Sequence, residues 1–301
     1  MVVRAPAKVN LHLSVGELRP DGFHDLTTVY HAVGLYDELT AANGDGLTVR
    51  VRGEGAADVP VDAGNLAVRA AVLLASETGH KAAVALTLDK AIPVAAGCAG
   101  GSADAAAALV ACDALWGTGL SRDELAGLGA RLGSDVPFSL HGGTALGTGR
   151  GERLTPVLGN GTYSWVLAIA AGGLSTPAVY AELDRLRCSG PVTVVGDPAA
   201  ILTALRSADP LALGRALSND LQPAACSLVP GLRRVLAAGR ELGALGGVVS
   251  GSGPTVALLA RDPAHAATLA AGLTKKALCR SVRVADSPAS GARICSSRAA
   301  G

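Results

Sequence analysis

The 301-residue chain reads as an α+β protein of two domains, and three observations carry that reading. Strand-like alternation near the start gives way to capped helices, and the same succession restarts after about residue 155. The length also exceeds what one hydrophobic core ordinarily organises. With 49% hydrophobic and 17% charged residues, the composition suits a chain that buries its apolar surface rather than a disordered one.

The first strand places Val9, Leu11, Leu13 and Val15 on one face and Lys8, Asn10, His12 and Ser14 on the other. Asp21-Gly22 follows as a turn, with further strands predicted over 47–51 and 84–88. Helices are predicted over 65–78 and 103–115, the second closed by Gly117 and so uniformly small and apolar that it calls for burial. Ser121 and Glu124 form a capping box for a helix stopping at Gly133, which leaves Asp135 just past a helix end. Beyond residue 155 come a strand over 164–170, helices over 198–206 and 230–242 and strands around Val248 and Val256. A helix over 263–278 and a strand over 281–285 complete the pattern. The domains are accordingly set at 1–155 and 156–286, and the small, polar stretch 287–301 is expected to be a loose tail.

Twenty-six basic residues nearly cancel 25 acidic ones, and neither sign forms a block, so the electrostatic footprint of a nucleic-acid binder is missing. No run of about 18 apolar residues suggests a membrane span, and MVVRAPAKVNLHL lacks the apolar core of a signal peptide. A cytoplasmic protein acting on a small molecule is expected, as monomer or homodimer. The six cysteines show no paired spacing, so reduced, mostly structural thiols are expected.

Four glycine-bearing or polar stretches can carry chemistry. In IPVAAGCAGGSADAAAAL, Gly97, Gly100 and Gly101 allow close backbone approach and Ser102 stands where a helix begins, so free N–H groups and a positive dipole end converge as they do around phosphate. No lysine follows the glycines as in a Walker A loop, and Ala99 breaks GxGxxG; Ser102 alone reads equally as an N-cap. Asp135, in GSDVP, reads alone as a turn or N-cap residue, and Lys8 as a snorkelling side chain. Together a lysine and a lone carboxylate are what phosphoryl transfer to a hydroxyl needs. Ser250-Gly251-Ser252-Gly253-Pro254-Thr255 is a hairpin turn between two apolar strands, and also a second loop of bare N–H groups that can face the first.

Taken in order, PAKVNLHL, PVAAGCAGGSADAAA and GSGPT resemble the motifs of the GHMP kinases over most of the chain. RPDGFHDLTTVYHAV, GSDVPF and Ser218-Asn219-Asp220-Leu221 resemble the branch of that family whose alcohol substrate is CDP-methylerythritol. The resemblance implies a two-domain GHMP kinase fold, with a ribosomal protein S5 domain 2-like N-terminal domain and a ferredoxin-like C-terminal one. It implies ATP and Mg²⁺ as cofactors, with metal ligands unassigned, and phosphorylation of the substrate 2-hydroxyl in the non-mevalonate isoprenoid pathway. Lys8 and Asp135 are implied as catalytic, Asp135 as general base and Lys8 as the group polarising the hydroxyl. Pro93, Gly97, Cys98, Ala99, Gly100, Gly101, Ser102 and Ala103 are implied for ATP, with Asn65 and Lys90 beside them. Asn10, Phe23, His24, Thr176, Tyr180, Gly251, Ser252 and Gly253 are implied for the substrate, with His24 on the cytosine and Phe23 and Tyr180 stacked on its two faces.

The chain departs from the family pattern in having Phe23 where tyrosine is usual, and Cys98-Ala99 and Ala103 in a loop richer in glycine and serine elsewhere. Cys98 is therefore expected to make the protein sensitive to thiol modification. A GHMP kinase for homoserine, mevalonate or a sugar and a non-catalytic nucleotide-binding module of the same fold are the alternatives. A dehydrogenase is a weaker alternative still, because no intact dinucleotide fingerprint is present.

Overall fold

The protein is described here from a computed structural model covering residues 1–170, 173–190 and 195–296. The first half contributes β1 (Val2–Leu18), β2 (His24–Asn43), β3 (Thr48–Gly53) and β4 (Val84–Lys90), then the hairpin of β5 (Thr144–Thr148) and β6 (Arg153–Pro156). Its helices are α1 (Leu66–Thr78), α2 (Gly100–Trp116), α3 (Arg122–Leu132) and α4 (Val136–His141). β2 pairs along most of its length with β1, while β4 takes its second half and β5 its first. No strand was predicted over β2, because residues 28–33 are buried on both faces and show no alternation. The other sequence-based elements of this half fall close to their predicted places, including the Ser121–Glu124 capping box and the Gly117 and Gly133 caps.

α2 begins at Gly100, three residues before its predicted start, with Ala99 at the N-cap in a left-handed conformation (φ 61°). Ser102 is thus inside the first turn and is not the cap. Alanines 103 and 105–108 leave the helix thin enough to lie against β1 and β2 with α1 and α4 around it, and they are all buried.

The second half contributes β7 (Tyr163–Ile169), α5 (Thr176–Ser189), α6 (Ala199–Ser207), α7 (Pro210–Ala216), β8 (Ser218–Asn219), α8 (Gln222–Leu228) and α9 (Gly231–Glu241). It continues with β9 (Gly246–Val249), β10 (Thr255–Ala260), α10 (Pro263–Lys276) and β11 (Ser281–Ser287). The sheet runs β11-β7-β10-β9, all antiparallel, the ferredoxin-like order that the resemblance implied. β7 is buried on both faces: Trp165, Leu167 and Ile169 join the core shared with the first half, whereas Val166 and Ala168 join a second core under α5, α8, α9 and α10.

Two strands cross the expected domain boundary. β8 pairs with β1 of the first sheet, and so does β12 (Arg293–Ser296), with Val3 opposite Ile294. The expectation of a loose tail is corrected over 287–296. Ala292 is fully buried, its N–H donates to Ser139 O at 2.8 Å, and its carbonyl accepts from Arg122 at 2.7 Å. A Cβ on Gly291 would lie 2.0 Å from Leu140 O, so the small residues that looked like a tail are what permits this close docking. Residues 297–301 lie outside the described range.

Candidate active site

A cleft of about 920 Å³ opens between the two halves; of the polar row of β1, Lys8 and Asn10 line it, whereas His12 and Ser14 do not. Lys8 and Asn10 project there from a strand buried on its other face; Asn10 Oδ1 accepts from Lys8 Nζ at 2.6 Å, and Asn10 Nδ2 donates to Thr28 Oγ1 at 2.8 Å. Asp135 occupies the position before α4, yet its carboxylate makes no capping bond. One oxygen, Oδ1, accepts from the Tyr30 hydroxyl at 3.0 Å, and Oδ2 lies 3.5 Å from Lys8 Nζ. The side chain of Lys8 is 6% exposed and that of Asp135 27%, so the pair sits at the cleft wall with the carboxylate facing solvent or ligand. Burial, with Asp135 alongside, pushes the Tyr30 phenol well above its usual range and keeps it a donor.

Tyr30 escaped sequence reasoning. Its signal was its register opposite Asn10, which required knowing that β2 exists.

The phosphate-loop candidate is built by contacts between the halves. Ser250 Oγ donates to Gly97 O at 3.1 Å, and Thr255 N donates to Ala96 O at 3.3 Å. At Gly97 (φ 74°) a Cβ would stand 2.3 Å from Ser250 O, so only glycine fits. The two glycine loops therefore face each other, and the GSGPT segment is both hairpin turn and cleft wall. Asn219 holds it from below, Nδ2 donating to Val249 O at 2.7 Å and Gly251 O at 2.8 Å. Ala99 has no side chain able to cap α2, and Gly100, Gly101 and Ser102 line the cleft, so the first-turn N–H groups and the positive end of a 17-residue helix point at its contents.

At the far end the turn between β1 and β2 meets α5. His24, Phe23, Thr176 and Tyr180 all line the cleft. The His24 and Tyr180 rings lie 5.3 Å apart, Phe23 is 51% exposed, and the Arg150 guanidinium sits 5.1 Å above the Phe23 ring. Arg150 is a cation on the cleft that the sequence did not single out. Thr176 Oγ1 and Ser252 Oγ lie 2.9 Å apart, joining α5 to the second glycine loop, and Gly251 and Ser252 line the cleft.

Several named residues stand elsewhere. Asn65, Pro93 and Lys90 line an adjoining cavity of about 200 Å³ that shares Leu66, Ala95, Gly100 and Gly101 with the cleft. Asn65 caps α1 through Ala67 N. Lys90 is ion-paired with Asp37 and, at 2.6 Å, with Asp104, and its side chain is 2% exposed. Burial opposes its charge, but the two carboxylates outweigh burial and raise its pKa. Burial lifts the Asp104 carboxyl to about 7 against the attraction of Lys90. Cys98 and Ala103 are buried behind the loop, and Gly253 faces Val249 and Leu174. The expected thiol sensitivity at Cys98 is not supported: the side chain is 1% exposed, and burial raises its thiol pKa.

Residues 65–143 match the family model for the GHMP kinases N terminal domain, and residues 201–278 that for the GHMP kinases C terminal domain. A 4-diphosphocytidyl-2-C-methyl-D-erythritol kinase of Nocardia farcinica is 60% identical over 294 residues, spanning 98% of this chain and 96% of its own. The chain belongs to the 4-diphosphocytidyl-2-C-methyl-D-erythritol kinase family of GHMP kinases. A crystal structure of a 4-(cytidine 5'-diphospho)-2C-methyl-D-erythritol kinase superimposes with a TM-score of 0.75 at 35% identity, covering 95% of this chain and 98% of that one. The L. major mevalonate kinase, at 16% identity and a TM-score of 0.77 over 96% of each chain, shares the fold alone. In this GHMP kinase no helix among the described residues is long and apolar enough to cross a membrane.

Proposed function

We propose that the chain transfers the γ-phosphoryl group of ATP to the 2-hydroxyl of CDP-methylerythritol. The observation that carries the proposal is the meeting of Lys8 and Asp135, 3.5 Å apart, in the cleft onto which α2 opens its N-terminus. Tyr30 occupies one carboxylate oxygen, which leaves Oδ2 to take the hydroxyl proton as the substrate oxygen attacks phosphorus and ADP departs. Lys8, its ammonium fixed by Asn10, holds the attacking oxygen in line, and the first-turn amides of α2 receive charge on the phosphates. The adjoining cavity, walled by Leu66, Pro93 and Val94, suits the adenine end.

At the other end His24, Phe23 and Tyr180 take the cytosine, with the Arg150 cation beside Phe23. Mg²⁺ belongs with the ATP. Among the described residues no three His, Cys, Asp or Glu side chains gather as a metal site, which suits an ion ligated chiefly by phosphate oxygens and water. Ser102, on the cleft at the phosphate end, is the side chain placed to add a ligand, and the bound ion would neutralise phosphate charge.

Incubation with ATP, Mg²⁺ and CDP-methylerythritol should add one phosphoryl group by mass. ADP release on homoserine, mevalonate or a sugar instead would move the substrate assignment. ATP binding with no turnover on any of these alcohols would make the protein a nucleotide-binding module.

A further inference from the structure

α5 carries Tyr180, Asp184 and Arg187 at spacings of four and three, so all three share one helix face, and that face meets the end of β1 and the start of β2. Arg187 clamps the strand end, donating to Val15 O at 2.7 Å and to Gly16 O at 3.2 Å, with Asp220 3.4 Å away. His24 Nδ1 lies 3.0 Å from the same Gly16 carbonyl. A carbonyl oxygen only accepts, so the hydrogen of the neutral ring belongs on Nδ1, and Nε2 is left as a bare lone pair. Nε2 faces Asp184 Oδ2 at 3.4 Å.

With the ring neutral, Nε2 and the Asp184 carboxylate are both acceptors, and only a proton or donor from outside the pair can join them. The Gly16 carbonyl fixes His24 from β1, while α5, anchored by Arg187, carries Asp184 and sets the Tyr180 ring against His24. Both line the cleft, and the Asp184 side chain is 41% exposed, so neither is sealed from a ligand. A group with two N–H donors on one nitrogen satisfies both acceptors at once; a carbonyl oxygen at the same point satisfies neither.

We propose that Asp184 is a specificity-determining residue, its carboxylate and His24 Nε2 together receiving the exocyclic amine of the cytosine. The inference rests on the reading of this cleft as the site for a cytidine-bearing alcohol and adds how the base is distinguished. Uracil differs from cytosine in presenting an oxygen where cytosine presents the amine, so the pair selects by leaving that oxygen facing two lone pairs.

The test is steady-state kinetics of the wild type, Asp184→Asn and Asp184→Ala on CDP-methylerythritol and its UDP counterpart, with the KM for ATP and thermal melting measured alongside. The wild type is expected to prefer the cytidine substrate by about 10²-fold or more in kcat/KM. Asp184→Asn, whose amide can turn its NH₂ toward a carbonyl, is expected to bring the two substrates within about tenfold. Asp184→Ala should raise the KM for the cytidine substrate about tenfold, with kcat and the KM for ATP nearly unchanged, as loss of one hydrogen bond to a charged group requires. A purely structural role would lower the melting temperature and leave the base preference intact. Wild-type turnover of CDP-methylerythritol with an unchanged preference in Asp184→Asn overturns this inference and leaves the proposed function standing. Absence of wild-type turnover overturns that function, and the inference with it.

Discussion

Lys8 Nζ stands 3.5 Å from Asp135 Oδ2, the one residue on the first strand and the other at the start of a short helix more than a hundred residues later. Tyr30 locks the other carboxylate oxygen at 3.0 Å. The carboxylate is thus oriented by its neighbours, with one oxygen left for chemistry.

Asp135→Asn keeps an oxygen for Tyr30 but loses the proton acceptor. Turnover is expected to fall by about 10² or more, with the KM for ATP little changed and the melting temperature preserved. Near-normal turnover would remove Asp135 as the base.

Tyr180→Ala removes a partly buried ring against His24 at the far end of the cleft. Stacking on a base is worth about 1 to 3 kcal/mol, so affinity for CDP-methylerythritol should fall by about 5- to 150-fold while ATP affinity holds. Equilibrium binding measures it, and unchanged affinity would take Tyr180 out of the pocket.

Gly97 and Gly79 separate two costs. Both have φ near 70°, but a Cβ on Gly79 meets nothing within 4 Å, whereas on Gly97 it meets Ser250 O at 2.3 Å. Gly79→Ala should lose only the left-handed penalty of about 1 to 2 kcal/mol. Gly97→Ala should lose more than that in urea unfolding and should weaken ATP binding, because the two loops must part. Equal losses would show that the loops are not in contact.

Lys90→Met leaves Asp37 and Asp104 facing each other in a buried site. Breaking such a cluster costs on the order of 3 to 5 kcal/mol, so the variant should be strongly destabilised at neutral pH. Asp37→Asn combined with Lys90→Met should recover part of it. Full stability of Lys90→Met with loss of ATP affinity would instead make Lys90 a ligand residue.

His31 ties the halves together, Nδ1 lying 2.8 Å from Thr144 Oγ1 and Nε2 2.6 Å from Ser287 Oγ. Burial pushes its pKa down to about 3 from 6.5. In that window the unfolded chain binds the proton and the folded one does not. The stability contributed by neutral His31 is therefore complete above pH 6.5 and is lost as pH falls toward 3, at up to about 1.4 kcal/mol per pH unit. Unfolding free energies from pH 7 to 4 should slope more steeply in the wild type than in His31→Gln. Parallel slopes would place the pH sensitivity elsewhere.

Local pattern was enough for much of this protein. Alternation placed β1 with its polar row, small residues marked α2 as buried, and Ser121 with Glu124 and Gly133 bounded α3. The ordered motifs named the family, because Lys8, the Gly97 bend, Asp135 and the Gly251 loop each carry a local signature. Such signals depend on residues within a turn or two of one another, and chain connectivity preserves them.

What the sequence could not decide depends on residues far apart along the chain. β2 is hidden because both of its faces are covered, and 287–296 looks loose until β1 offers its edge to Arg293–Ser296. Lys90, read beside the ATP loop, spends its ammonium on Asp37 and Asp104, while Tyr30 and Arg150 join the cleft only through register and the β5–β6 hairpin. Burial of a charge and the partner that neutralises it are properties of the packed chain. They exist only once the strands and helices have closed around it.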